Sequence, residues 1–134
     1  MSLPTIGKYI IRLETVDSTN NYAAALISKS KPAEGTAIMA DFQDYGRGQR
    51  ETIWESENGK NLLVSFILYP QIDTADYFLL NECFSLAVRE VIEDITGLDV
   101  KIKWPNDILV NNKKIAGILI ENSIRGNTIL YSIA

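Results

Sequence analysis

Apolar and polar positions follow two rhythms along this chain, one of period two and one of helical spacing, and together they divide it into short strands and two helices. Residues 9–16 are rich in β-branched side chains and predict a first strand. Asp17-Ser18-Thr19-Asn20 then offers capping side chains directly before the helix-forming run 22–27, which Lys31-Pro32 ends. Residues 36–42 predict a second strand, and 43–57 a long polar connection containing glycines, a length that compact domains usually reserve for function or disorder. Residues 61–68 are almost continuously apolar, as expected of a central strand covered on both faces.

From 74 to 96, Leu80, Phe84, Ala87, Val88, Val91 and Ile95 recur at helical spacing with Glu82, Arg89, Glu90 and Glu93 off that stripe, and Gly97 stands where a left-handed terminator belongs. Cys83 falls on the apolar side and reads as a small core residue. Further strands are expected at 100–104, 108–110, 115–121 and 128–133. Asn111-Asn112 and Arg125-Gly126-Asn127 make the turns between them, since asparagine tolerates positive φ. The sum is one α+β domain over residues 1–134, a mixed and mostly antiparallel sheet with two helices packed on one face. The last strand runs straight to the terminus, which predicts a sheet interrupted at its C-terminal end and an open edge able to recruit a second copy as a homodimer.

Composition narrows the chemistry. With 134 residues and 46% hydrophobic content the chain can bury roughly two-thirds of its unfolded surface. A net charge of −4 leaves no global basic field, so nucleic acid is not expected as a partner and any cationic site must be local. Histidine is absent, which removes the commonest general base and every Ser-His or Cys-His nucleophile. A single cysteine forbids an internal disulfide, and no apolar run is long enough to span a bilayer, so a soluble protein of the reducing cytoplasm is expected.

Polar chemistry concentrates in four places. The run 41–54 (DFQDYGRGQRETIW) sets glycines 46 and 48 beside Arg47 and Arg50, a pattern that either wraps an anion or is a flexible turn with solvated arginines. Lys103-Trp104-Pro105-Asn106-Asp107 precedes Lys114-Ile115-Ala116-Gly117-Ile118-Leu119 across one hairpin. Lys103 and Lys114 would neutralise phosphate and carboxylate, and Asn106 with Asp107 offers oxygens suited to hydrated Mg2+. Gly117, inside a β-branched strand, marks either a bulge or room for a ligand. The stretch 17–20 either caps a helix or also turns a hydroxyl toward a pocket, and Trp54 either stacks on a base or covers the sheet edge.

In order and wording these four elements resemble the catalytic domain of biotin protein ligase, from about Tyr9 to the C-terminus. That resemblance implies the fold of the biotin and lipoate ligases, which is like the class II aminoacyl-tRNA synthetases. It also implies ATP-dependent activation of biotin to biotinyl-5′-AMP with Mg2+, and transfer of biotin to a lysine on the carboxyl carrier domain of a carboxylase. By similarity Ser18, Thr19, Asn20 and Gln43 would bind biotin, with Gly46 and Arg47 in the covering loop, Lys114 at the carboxylate and Gly117 beside the ligand. Arg50, Trp54, Lys103, Asn106 and Asp107 would handle the nucleotide, Asn106 and Asp107 the metal, and Lys114, Lys103 and Arg47 the catalysis.

The chain departs from the family pattern in two respects. The family loop commonly reads Gly-Arg-Gly-Arg-Arg-Gly-Arg, whereas here Gln49, Glu51 and Thr52 replace an arginine, a glycine and an arginine, which weakens the donors available to retain the adenylate. The family's later Gly-rich turn, further helices and SH3-like domain have no counterpart, nor does the helix-turn-helix arm of some members, so the chain resembles the first two-thirds of a catalytic domain. Two further readings compete: a non-catalytic module that binds biotin or pairs with another subunit, and a lipoate ligase relative.

Overall fold

The computed structural model describes residues 5–134. Strand β1 (Ile10–Val16) leads into helix α1 (Thr19–Lys29), which returns the chain to β2 (Ala37–Gln43) parallel to β1. A parallel neighbour requires a crossover of this kind. Ser18 caps α1, its hydroxyl accepting from the Asn21 amide at 3.3 Å, and the Ser30 amide closes the far end on the Leu26 carbonyl at 3.1 Å. Gly35, at φ 83°, lies in the turn that precedes β2: a Cβ there would lie 2.6 Å from the Thr5 carbonyl oxygen, so only glycine fits.

Strand β3 (Leu63–Leu68) pairs antiparallel with β2, and helix α2 (Tyr77–Thr96) follows. Gly97 terminates α2 at φ 67°, its amide reaching the Glu93 carbonyl at 2.8 Å. Strands β4 (Val100–Lys103), β5 (Asp107–Val110) and β6 (Lys113–Gly117) form an antiparallel meander; β7 (Glu121–Arg125) and β8 (Thr128–Ile133) form a hairpin. Asn111 and Asn112 both adopt positive φ, as the two-residue turn between β5 and β6 demands.

The α+β class and the mixed strand directions stand, but the strands divide between two sheets. One has five strands in the order β1-β2-β3-β8-β7, the other three in the order β4-β5-β6, so the last strand is not the open edge expected of it: β8 is paired on both sides, by β3 and β7, and the outer strands of the larger sheet are β1 and β7. Each sheet has its own helix. Ala23 of α1 packs on Ile38, Ile67 and Ile133 of the larger sheet, whereas Phe84, Val88 and Ile92 of α2 pack on Val100, Ile108 and Ile118.

The apolar run expected as one strand over 115–121 is cut in two, because 118–120 carries the chain from one sheet to the other. Ile118 bonds Asn106 at the exit of the small sheet, and Glu121 opens β7 in the large one. Strand β3 is central, as expected, but its burial alternates: Leu63, Ser65 and Ile67 are buried while Val64, Phe66 and Leu68 are half-buried. The expected stripe of α2 is rotated. Val91 and Ile95 are exposed, at 55% and 78%, and Cys83 is exposed rather than in the core. The helix carries apolar residues on more than one side, so periodicity alone does not choose the packed face.

Candidate functional site

The polar connection after β2 is an ordered flap rather than a coil. The Trp54 amide donates to the Gly46 carbonyl at 2.8 Å, Arg47 bridges Ile53, and the Gly48 amide donates to the Thr52 carbonyl at 2.7 Å, which makes residues 46–54 a small hairpin. Its tip at Gln49–Glu51 turns through Arg50 and Glu51 at φ 52° and 61°. Glu51 thus holds a left-handed conformation that favours glycine. Gly46 is buried, and a Cβ there would meet the Trp54 carbonyl oxygen at 2.5 Å and Gln43 Nε2 at 2.9 Å.

Beneath the flap, the N-terminus of α1 is the centre of a polar network. Ser18, Thr19 and Asn20 are buried. Gln43 Oε1 accepts from the Thr19 amide at 2.8 Å and from its hydroxyl at 3.1 Å, and Thr19 Oγ1 also lies 2.7 Å from Ser65 Oγ. Ser65 donates to Asn20 Oδ1, so the Thr19 hydroxyl proton goes to Ser65 or Gln43. Asn20 Nδ2 donates to Glu121 Oε1 at 3.0 Å and to the Leu119 carbonyl at 3.3 Å. Arg47 completes the chain with a forked pair to Glu121, Nη1 to Oε2 at 3.0 Å and Nη2 to Oε1 at 2.7 Å, and Nη2 also donates to Asn21 Oδ1 at 2.7 Å.

Two carboxyls in this network lie below their ordinary values. The Arg47 fork holds Glu121 down against the opposing effect of burial, with Asn20 assisting, and the Asn21 side chain does the same for Asp17. The Glu121 carboxylate in turn raises the Arg47 guanidinium.

The second half of the site is the open face of the small sheet. Register aligns Lys103 with Asp107 and Asp107 with Gly117 in one row, and Leu109 with Lys114 in the next, so Lys103, Asp107, Lys114 and Gly117 share the face turned away from α2. The register slips between Ile108 and Leu109, which puts the extra residue at Ile115. The space beside Gly117 has a different occupant. A Cβ there would stand 2.7 Å from Cζ3 and 2.9 Å from Cη2 of Trp54, so the six-membered ring of the indole occupies the space that any larger residue would need. Lys114 Nζ sits 4.7 Å from the centre of that ring and 2.8 Å from Asp107 Oδ1.

The flap therefore brings together two sets of sequence-expected residues. Thr19, Asn20, Gln43, Gly46 and Arg47 form one, and Trp54, Asp107, Lys114 and Gly117 the other, with Lys103 paired to Asp107 in the row that holds Gly117. Ser18 caps α1, and Arg50 is exposed at the flap tip. Asn106 is spent on structure: its Nδ2 donates to the Ile118 carbonyl at 2.7 Å. Among the described residues no group of three or more acidic, Cys or His side chains converges as a metal site, and Asp107 is the carboxylate on the lysine face.

Sequence reading missed Ser65, Asn21 and Glu121. Ser65 had a signal, a hydroxyl inside an apolar strand; so did Glu121, the acidic residue that ends the apolar run 118–120. A cleft of about 280 Å³ lies beyond the flap tip, between Gln49, Phe78 and Trp104, and a groove of about 400 Å³ runs along Asn21, Arg47, Glu121 and Tyr131.

The chain resembles known proteins over nearly its whole described length. It is 39% identical to the bifunctional ligase/repressor BirA of Bacillus subtilis over 116 residues, 87% of this chain and 35% of that protein. The biotin protein ligase of Aquifex aeolicus, solved in complex with biotin and ATP, superposes with a TM-score of 0.72 at 31% identity, covering 94% of this chain and 51% of that one. The Leishmania major enzyme in complex with biotinyl-5-AMP superposes at 0.74 with 29% identity, covering 94% and 56%. The chain thus spans between about a third and somewhat over half the length of these proteins. Residues 13–134 match the biotin/lipoate A/B protein ligase family, and with four ordered motifs folded around one flap, the chain belongs to that family.

Proposed function

We propose that this chain carries the biotin-activating site of a biotin protein ligase, joining biotin to ATP and passing the biotinyl group to a lysine of a carboxyl carrier domain. The observation that carries the reading is the common face of Lys103 and Lys114, with Trp54 of the glycine-containing flap beside Lys114. Two anions must meet for adenylation, so two ammonium groups on one rigid surface are the chief requirement, and histidine is unnecessary.

In the first step a biotin carboxylate oxygen attacks the α-phosphorus of ATP, forming a new P–O bond as the bond to pyrophosphate breaks. Lys114 exchanges its contact with Asp107 for the biotin carboxylate and the reacting phosphate, and Lys103 faces the phosphates. In the second step the carrier lysine's amine attacks the acyl carbon, and AMP leaves with the bridging oxygen. Gln43 accepts from Thr19 through its oxygen, leaving its amide NH2 to donate to the ureido carbonyl of biotin beside Ser18, Thr19 and Asn20.

Gly46 lets the flap approach the ligand, Trp54 forms the wall beside Gly117 against which adenine packs, and Arg50 supplies a guanidinium from the flap tip. Mg2+ suits this surface as an ion borne chiefly by the nucleotide's phosphates, with Asp107 as its protein carboxylate and Asn106 beside it. It would neutralise charge on the departing pyrophosphate. Cytoplasmic location and a homodimer through the outer strands β1 or β7 belong to the same reading. Among the described residues no helix is long and apolar enough to cross a membrane.

The test is pyrophosphate release by the purified chain with ATP, Mg2+ and either biotin or lipoate. Release with biotin alone supports the proposal, and release with lipoate alone overturns it for the lipoate reading. A binding module without turnover is the second reading, favoured by the Trp54 ring in the space beside Gly117 and by Asp107 on Lys114. Calorimetric biotin binding without pyrophosphate release would select it.

A further inference from the structure

Arg47 stands in the flap beside two glycines, where an arginine invites assignment to a ligand's anion. Its guanidinium is turned elsewhere. It makes the forked pair to Glu121 at 3.0 and 2.7 Å and a third bond to Asn21 at 2.7 Å, and Nε is buried without a partner. To reach a ligand anion it would abandon three bonds and leave Glu121 without its cation, and fork geometry of this kind is the most specific that arginine makes. Arg50, exposed at the tip and in no ion pair among the described residues, is free for that task.

The two anchors of the flap land at the two ends of one short segment. Trp54 lies on Gly117, where the small sheet ends, and Arg47 grips Glu121, where the large sheet resumes. Because 118–120 links the sheets, the flap is fastened across their junction rather than to one wall. Glu121 also accepts from Asn20, which is tied through Ser65 to Thr19 and Gln43. The latch is continuous with the residues expected to hold the ligand.

We propose that Glu121 is a positioning residue: with Asn21 it latches the flap through Arg47, so that Arg47 serves the site by holding residues 46–54 in place and not by contacting the ligand's anion. The latch itself stands on the geometry of the unliganded chain. Its effect on biotin rests on the function proposed above, and the two are tested separately.

Amide hydrogen exchange of the unliganded chain tests the latch, with the Gly48 and Trp54 amides reporting the flap and the Ile67 amide, bonded to Thr36 at 3.0 Å, reporting the core. Glu121→Gln should accelerate flap exchange by ~10-fold, the scale of a half-exposed charged fork, and leave Ile67 unchanged. Asn21→Ala should act in the same direction but less. The exchanged pair Arg47→Glu with Glu121→Arg should restore protection that either single change removes. Unchanged flap exchange in Glu121→Gln, or equal acceleration at Ile67, would overturn the latch whether or not the chain binds biotin. In pyrophosphate release, Glu121→Gln should raise KM for biotin more than it lowers kcat; the reverse split would show that Arg47 acts on the reacting groups directly.

Discussion

Around the start of α1, Gln43, Thr19, Ser65, Asn20, Glu121 and Arg47 share one continuous hydrogen-bond chain, whereas on the small sheet Lys114 has one ion pair and one aromatic ring, and Lys103 has no ion pair among the described residues. The first half is densely bonded, buried at Ser18, Thr19, Asn20 and Ser65 and half-buried at its Arg47–Glu121 end; the second is half-exposed and loosely held. A surface that recognises an uncharged ring gains from fixed dipoles that need no rearrangement on binding. One that takes up anions gains from cations not spent on strong internal partners, since every such partner must be displaced first. On the proposed function, the first half would recognise shape and the second would handle charge.

The largest test of that division is Lys114→Ala. Removing the ammonium should lower biotin-dependent pyrophosphate release by ~100-fold or more, the scale of a lost transition-state donor, while lowering the urea midpoint only slightly because the pair with Asp107 is half-exposed. Ser65→Ala should behave in the opposite way. It strips Asn20 Oδ1 of its donor in a buried setting, so stability should fall by about 1–3 kcal/mol in denaturant titration.

Gly117→Ala comes next, because its methyl meets the Trp54 ring. Stability should fall by about 1–2 kcal/mol, and a Trp54→Ala background should remove most of that cost, a non-additivity readable by a double-mutant cycle. Acid should then loosen the first half. Asp17 and Glu121 have carboxyls depressed below their ordinary 3.8 and 4.5, so the stability they contribute is present above those values and lost as pH falls through the lowered ones. The urea midpoint should fall on going from neutral pH into that acid range, and by less in Glu121→Gln. The smallest effect is expected of Glu51→Gly, which relieves a positive φ at the flap tip against a gain in unfolded-chain freedom and should raise stability by about 0.5 kcal/mol in thermal melts.

Much of the fold could be read from the chain itself. Ser18 caps α1 as its type and place suggest, the asparagine pair forms its turn, and β3 is central because its residues are apolar almost without break. What escaped depends on distance along the chain. Nothing local links Arg47 to Glu121, 74 residues later, or tells that Gly117 is small to admit Trp54 rather than a bulge. The run 115–121 hides a change of sheet because both destinations want the same apolar residues, and α2 is apolar on too many sides to declare its buried face.

Chemical acetylation of surface amines, mapped residue by residue with and without biotin, ATP and Mg2+, asks the question most directly. Lys103 and Lys114 should become protected together at saturating ligands, while Lys113, in the turn-proximal end of β6, stays reactive. Full labelling of Lys114 under those conditions, or protection of one amine without the other, would contradict a shared cationic face beneath the flap.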